Sequence, residues 1–276
     1  MKKTLCAMLV LVLHAVTVNA QMKMFINRTD GSVDSLLLSQ IKNISFRTGK
    51  TSILSPELIA YYPFSGNTQD SSGYGNDGTN SGAVLTADRF GKNNSAYMFN
   101  GSASIRIPEL FPDSCKAFTV AAWVKLNIKD SNNYHLVLYK GTLQGEAALG
   151  ITYGKLHFKV NLHVPGTAVS TQNWYSAEIP DTLKANVYYF LVGRYTKGKI
   201  VEFLIDGRTV ASTAIPDLNL CYNPGGTYSV IGTHGHPVIA PECYWNGVID
   251  DVRIYNRALS DEEVQSLFHE RGWQGN

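Results

Sequence analysis

WNGVIDDVRIYNRALSDEEVQSLF, residues 245–268, joins a strand to a helix. Val248 to Tyr255 alternates with period two, which places Val248, Asp250, Val252 and Ile254 on one face, so Asp250 shares a side with three aliphatic residues. A carboxylate in such surroundings needs a partner. Beyond Asn256 the pattern changes. Ser260 and Glu263 form a capping box, Leu259 and Val264 occupy the hydrophobic-staple positions, and Asp261 and Glu262 stand where the helix dipole favours negative charge. Val264, Leu267 and Phe268 make an apolar stripe, and Gly272 can terminate the helix. A helix of this size docks on a sheet and does no chemistry itself.

Upstream of this stretch, short apolar runs alternate with Gly, Asn, Asp and Pro clusters from Leu58 onward, at spacings typical of a two-sheet antiparallel fold. Phe118 to Leu126, Leu136 to Lys140, Lys155 to Leu162, Val187 to Tyr195 and Ile200 to Ile205 all read as strands. Asp206-Gly207 predicts a two-residue turn with positive φ at both centres, which makes its flanking strands a hairpin. Residues 21–46 read as a smaller unit: Met22 to Ile26 and Val33 to Leu38 flank the turn Thr29-Asp30-Gly31-Ser32, and residues 39–46 can add a third strand. Residues 47–57, rich in Thr, Ser, Gly and Lys, read as a linker to one large β-domain over residues 58–276.

At the start of the chain, Lys2 and Lys3 precede an apolar run from Leu5 to Val18 that ends in Val18-Asn19-Ala20. That pattern is a signal peptide over residues 1–20, cleaved before Gln21, with an apolar run too short to span a bilayer. The expected location is secreted, periplasmic or on the cell surface, with no transmembrane segment after cleavage. Lys2 and Lys3 leave with the leader, so of the 24 basic residues 22 remain against 22 acidic ones. A formally neutral chain gives no support to a nucleic-acid partner. Three cysteines remain: Cys115, Cys221 and Cys243. A Cys221–Cys243 bridge is the favoured pairing and would contribute on the order of 3 kcal/mol; three buried thiols acting as small hydrophobes is the alternative.

Five stretches together resemble a known family. Residues 58–79 (LIAYYPFSGNTQDSSGYGNDGT), 96–108 (AYMFNGSASIRIP), 118–125 (FTVAAWVK), 203–212 (FLIDGRTVAS) and the opening quotation follow the order of laminin G-like jelly-roll domains of the concanavalin A-like lectin/glucanase superfamily. The resemblance implies an all-β, two-sheet antiparallel jelly-roll sandwich with a short C-terminal helix, preceded here by the small N-terminal hairpin. Asn100-Gly101 departs from the family's usual Asp-Gly, and Tyr188 and Tyr189 stand where a Trp is common. Residues 30–46 are similar to a leader segment of many exported Bacteroidota proteins.

In the resembling family a structural calcium is often held between the early loop and the late strand, which maps onto Asp70, Asn76 and Asp250. The Ser71-to-Gly78 loop offers the hard oxygen ligands that calcium takes. The alternative is that Asp70 and Asn76 form Asx-turns while Asp250 pairs with an arginine such as Arg106 or Arg253. His234-Gly235-His236 permits zinc if Glu242 approaches, although two solvated histidines in a glycine-rich loop fit the spacing better.

Trp123 and Trp245 read as core. Trp174 and Tyr175, set among polar residues, are candidates to stack on sugar rings, with Tyr134, His236 and Tyr244 as further candidates at a loop-end site. Packing of Trp174 and Tyr175 between the sheets is the competing reading. A glucanase needs two carboxylates flanking the glycosidic bond. The Glu-x-Asp array of laminarinase-type relatives is missing, and neither Glu146 nor Glu178 is singled out. The expected partner is therefore a glycan or polysaccharide bound without turnover, with a cell-envelope protein as the second possibility and hydrolysis a distant third.

Overall fold

A computed structural model describes residues 23–27, 33–37, 56–110, 114–127, 134–141, 146–166, 173–221, 228–234 and 243–275. The chain divides into two compact units, residues 1–51 and 52–276. In the first, β1 (Lys23–Asn27) and β2 (Val33–Leu37) pair antiparallel with Phe25 opposite Ser35. The signal peptide, the third strand expected over residues 39–46 and nearly all of the expected linker lie outside the described residues.

The second unit is the expected sandwich. Its strands are β3 (Leu58–Tyr62), β4 (Thr79–Ser81), β5 (Val84–Thr86), β6 (Ala96–Asn100), β7 (Ser104–Pro108), β8 (Ala117–Leu126), β9 (His135–Lys140) and β10 (Ala147–Thr152). They continue with β11 (Lys155–Asn161), β12 (Trp174–Pro180), β13 (Tyr188–Thr196), β14 (Ile200–Ile205), β15 (Arg208–Ala214), β16 (Tyr228–Ile231) and β17 (Asn246–Tyr255). One sheet runs β12-β11-β10-β9-β16-β7-β4, and the other runs β15-β14-β13-β8-β17-β6-β5, with β3 also on β17. Every pairing is antiparallel. Asp206 (φ 49°) and Gly207 (φ 79°) form the expected tight turn between β14 and β15. No helix among the described residues is long and apolar enough to cross a membrane.

Strand alternation decides where each sheet is wet. Along β8, Phe118, Val120, Ala122, Val124 and Leu126 enter the inter-sheet core, while Ala121 and Trp123 belong to a second apolar cluster on the opposite face. Helix α1 (Asp261–Phe268) covers that cluster with Val264, Leu267 and Phe268. Its capping box is formed: Ser260 Oγ accepts from the Glu263 N–H at 3.3 Å and Glu263 Oε2 accepts from the Ser260 N–H at 2.8 Å. The helix ends at Phe268 with His269 as its cap, earlier than expected, and Gly272 (φ 81°) closes a following 3-10 turn. In the seven-stranded sheet, Leu156, Phe158 and Val160 of β11 fill the core, which leaves His157, Lys159 and Asn161 on the face away from it.

Gly193 on β13 shows how tightly the layers meet. A Cβ there would overlap the Phe158 ring of the facing sheet. Gly193→Ala is expected to lower stability by about 1–3 kcal/mol through overpacking. Urea denaturation checks this, and an unchanged midpoint would show that the ring has room to move.

Strand β17 lies beside the start of the sandwich as expected, with Val252 opposite Tyr62 and Arg253 opposite Tyr61. Its predicted single face is corrected by a β-bulge. Asp250 faces Trp123 but Arg253 faces Ala121, so β17 carries one residue more than β8 over this span, and Asp251 takes φ 47°. One extra residue reverses the alternation. Ile249, Val252 and Ile254 therefore enter the inter-sheet core, while Asp250 departs from their side.

Candidate functional site

Asp70, Asn76 and Asp250 are each engaged by protein partners. Asp70 Oδ1 accepts from the N–H groups of Tyr61 (2.9 Å) and Ser72 (2.8 Å), and its Oδ2 accepts from Ser72 Oγ (2.7 Å) and the Asn76 N–H (3.0 Å). Burial works to raise this carboxyl, but the donors from Ser72, Tyr61 and Asn76 together hold it below its ordinary range. Asn76 donates its side-chain amide to the Ile59 carbonyl at 2.7 Å. These bonds make the loop a self-satisfied Asx structure.

Asp250, 1% exposed, accepts from Arg89 Nη1 at 2.9 Å, and the same nitrogen lies 2.6 Å from Asp251. Neither Arg106 nor Arg253 is the partner of Asp250. Arg106 lies over Tyr228, while Arg253 stacks on Tyr61 and pairs with Glu270 at 2.6 Å. The expected calcium ligands thus do not fit a cage. The lone pairs of Asp70 are taken by donors, and a guanidinium faces Asp250 where a cation would be repelled. Among the described residues no group of three or more His, Cys, Asp or Glu is placed to hold a metal ion.

The expected Cys221–Cys243 bridge is also corrected. Cys115, Cys221 and Cys243 are buried and none is joined in a disulfide. Different strands pin the two thiols: the Cys221 N–H donates to the Asn161 carbonyl at 2.8 Å, whereas Cys243 packs on Leu136, Tyr139 and Ala148. Burial pushes the Cys221 thiol up, which keeps it protonated and unreactive.

The face of the seven-stranded sheet away from the inter-sheet core gathers a different set of residues, several of them buried in a small apolar cluster of their own. Register carries one row across four strands, from Tyr139 to Ala148 to Lys159 to Ser176. On that face a cleft of about 330 Å³ is lined by Tyr134, Leu136, Tyr139, Thr152, Tyr153, Lys159, Trp174 and His234. Its aromatic walls brace one another. Tyr134 meets Tyr153 edge to face at 4.8 Å, the Tyr139 and His234 rings lie 4.0 Å apart, and Lys159 Nζ sits 4.8 Å from the centre of the Trp174 ring. Tyr153 projects from the β10–β11 turn at 76% exposure.

Burial sets the protonation states here. It pushes the Lys159 ammonium below its ordinary value against the pull of Glu178, and it raises the Tyr139 hydroxyl. Beneath the cleft, His157 is pushed down to about 3 by burial and by Lys159, so it is neutral near pH 7, with Nδ1 3.4 Å from the Thr152 hydroxyl.

Two sequence candidates, Trp174 and Tyr134, therefore meet in one cleft. Tyr175 packs against the inter-sheet core, because neighbours on a strand face opposite ways. Tyr244 is half-buried outside the cleft lining, with its carbonyl 3.2 Å from His135 Nδ1. His236 and Glu242 lie outside the described residues. Sequence reasoning missed Tyr139, Tyr153, Lys159 and Thr152. The alternation of Lys155, His157, Lys159 and Asn161 marked one of them as facing away from the core, but the partners across the sheet depend on topology. The dispersed carboxylates are committed elsewhere: Glu146 pairs with Lys140, and Glu178 with Lys155.

Residues 99–265 match the Laminin_G_3 family, described as the Concanavalin A-like lectin/glucanases superfamily. Solved structures share the layout. Domain 4 of AbnA, a GH43 extracellular arabinanase from Geobacillus stearothermophilus in complex with arabinotriose, superposes with a TM-score of 0.59 at 20% identity, covering 76% of this chain and 98% of that one. The binding domain of botulinum neurotoxin DC in complex with SialylT gives 0.60 at 13% identity, and that of Paraclostridial Mosquitocidal Protein 1 gives 0.61 at 17%. Each covers 78% of this chain, which spans only 52% of those toxin domains. At such identities the likeness is one of fold. No curated protein matches the chain. Because the family match takes in more than half of the chain and the two sheets run through the same region, this protein belongs to the Concanavalin A-like lectin/glucanases superfamily.

Proposed function

We propose that the chain is an exported carbohydrate-binding module whose ligand lies in the aromatic cleft on the face of the seven-stranded sheet away from the inter-sheet core. The observation that carries this reading is the meeting of Trp174, Tyr134, Tyr139 and Tyr153 around one hollow with hydroxyl and ammonium groups among them. Aromatic faces suit the C–H faces of sugar rings, while Thr152, Lys159 and the tyrosine hydroxyls supply directional donors. Ligand clefts begin at roughly 300 Å³, so this one suits a short saccharide stretch. The arabinanase domain was solved with arabinotriose and the neurotoxin domain with SialylT, which supports a saccharide ligand on this fold. Binding is favoured over hydrolysis because no carboxylate lines the cleft among the described residues, and glycoside cleavage needs a pair of them.

A glycan array probed with residues 21–276, with and without EDTA, tests the reading. Retention on a defined set of glycans is the expected result. It should survive EDTA, since the site does not run through Asp70 or Asp250. Loss of binding on chelation would return calcium to the account. Binding to no glycan, together with self-association in scattering, would instead favour an adhesive or scaffolding role at the cell envelope.

A further inference from the structure

The cleft carries a charge that an ordinary sugar ring does not need. Lys159 sits in the middle of β11 between Ala148 and Ser176 in register. Its ammonium is held over the Trp174 ring instead of reaching away from the sheet. Glu178, the carboxylate that pulls on it, already pairs with Lys155 four residues earlier on the same strand. Among the described residues Lys159 forms no salt bridge: Glu178 pulls on its charge from a distance, and the Trp174 ring is its cation–π contact. Among the described residues the cleft lining contains no Asp or Glu, and Lys159 brings a positive charge to it.

We infer that the cleft selects an acidic saccharide, with the anionic substituent of the sugar seated against the Lys159 ammonium and the ring against Trp174. A lysine presents a compact point charge with three donors, which suits a carboxylate or a sulfate ester equally. Partial burial strips water from the ammonium and lowers its proton affinity. An arriving anion reverses that penalty through charge-assisted hydrogen bonds, which are the strong ones. A neutral sugar leaves the penalty in place. The inference rests on the glycan-binding reading and narrows it to a ligand class.

Matched polysaccharide pairs test it: pectate, alginate and hyaluronan, each beside its carboxyl-reduced form, and carrageenan beside its desulfated form, all measured with residues 21–276. The acidic member of at least one pair is expected to bind about tenfold more tightly, with a preference that shrinks as NaCl is raised. Which pair responds separates carboxylate from sulfate. In Lys159→Met the ratio within that pair should collapse towards one, and Lys159→Arg should restore part of it. Thermal unfolding of each variant verifies the fold, and the wild-type ratio with its salt dependence stands without any variant. Equal or tighter binding of the neutral members, or a ratio unchanged in Lys159→Met, overturns the inference while leaving glycan binding intact. Failure to bind any saccharide, here or on the array, overturns the parent reading and this one with it.

Discussion

Arg89→Met is expected to lower the unfolding free energy by about 3–5 kcal/mol, the usual result of removing one partner from a buried ion cluster. The Arg89 side chain is wholly buried, with Nη1 shared by Asp250 and Asp251, and its guanidinium lies 4.5 Å from the Trp123 ring centre. Without it two adjacent carboxylates stay buried at the bulge of β17, with Arg253 at 3.8 Å and the Tyr61 hydroxyl at 2.7 Å left to serve Asp251. The two acids divide their roles. Burial and then the neighbouring Asp251 push Asp250 up to about 8. Burial opposes ionisation of Asp251, yet Arg253 and Arg89 hold it below its ordinary value.

The sign of the pH dependence follows. Between about pH 4 and pH 8 folded Asp250 keeps a proton that the unfolded chain has released, so its contribution falls as pH rises through that window. Asp251 acts in the opposite sense: its contribution is present above its unfolded value and is lost in acid. Asp250→Asn should flatten the first trend and recover part of the loss in the Arg89→Met background. Urea denaturation from pH 5 to pH 9 measures both effects. An Arg89→Met protein as stable as the parent would show that the cluster contributes nothing net.

Trp174→Ala should weaken saccharide binding about thirtyfold, the loss expected of a tryptophan at the centre of a binding site, with little change in melting temperature. Its neighbour offers an internal contrast. Tyr175 packs against the inter-sheet core, so Tyr175→Ala should cost about 2 kcal/mol of stability while a protein that still folds keeps most of its affinity. Calorimetric titration beside thermal unfolding separates the two. If both variants lose affinity in proportion to stability, the cleft is not the binding surface.

Local chemistry made the architecture readable. Ser260 and Glu263 announce their helix within four residues, and Asp206-Gly207 announces its hairpin within two, because capping and turn geometry are satisfied by neighbours. The bulge was not legible: an extra residue on β17 is defined only against β8 and leaves no mark in a single-strand pattern. Asp250 was recognised as needing a partner, but Arg89 stands 161 residues away in sequence and in an unremarkable loop. For the cleft, composition pointed to Trp174 and Tyr134 as surface aromatics. Tyr139 and Lys159 became partners only through the β9-β10-β11 register.

A crystal structure of residues 21–276 soaked with the saccharide that binding assays select would show where the ligand sits. A sugar ring is expected to lie on the Trp174 face, flanked by Tyr134 and Tyr153, with its anionic substituent at Lys159. Saccharide density on the helix-covered sheet, or along the Asp70 loop with the cleft empty, would contradict it.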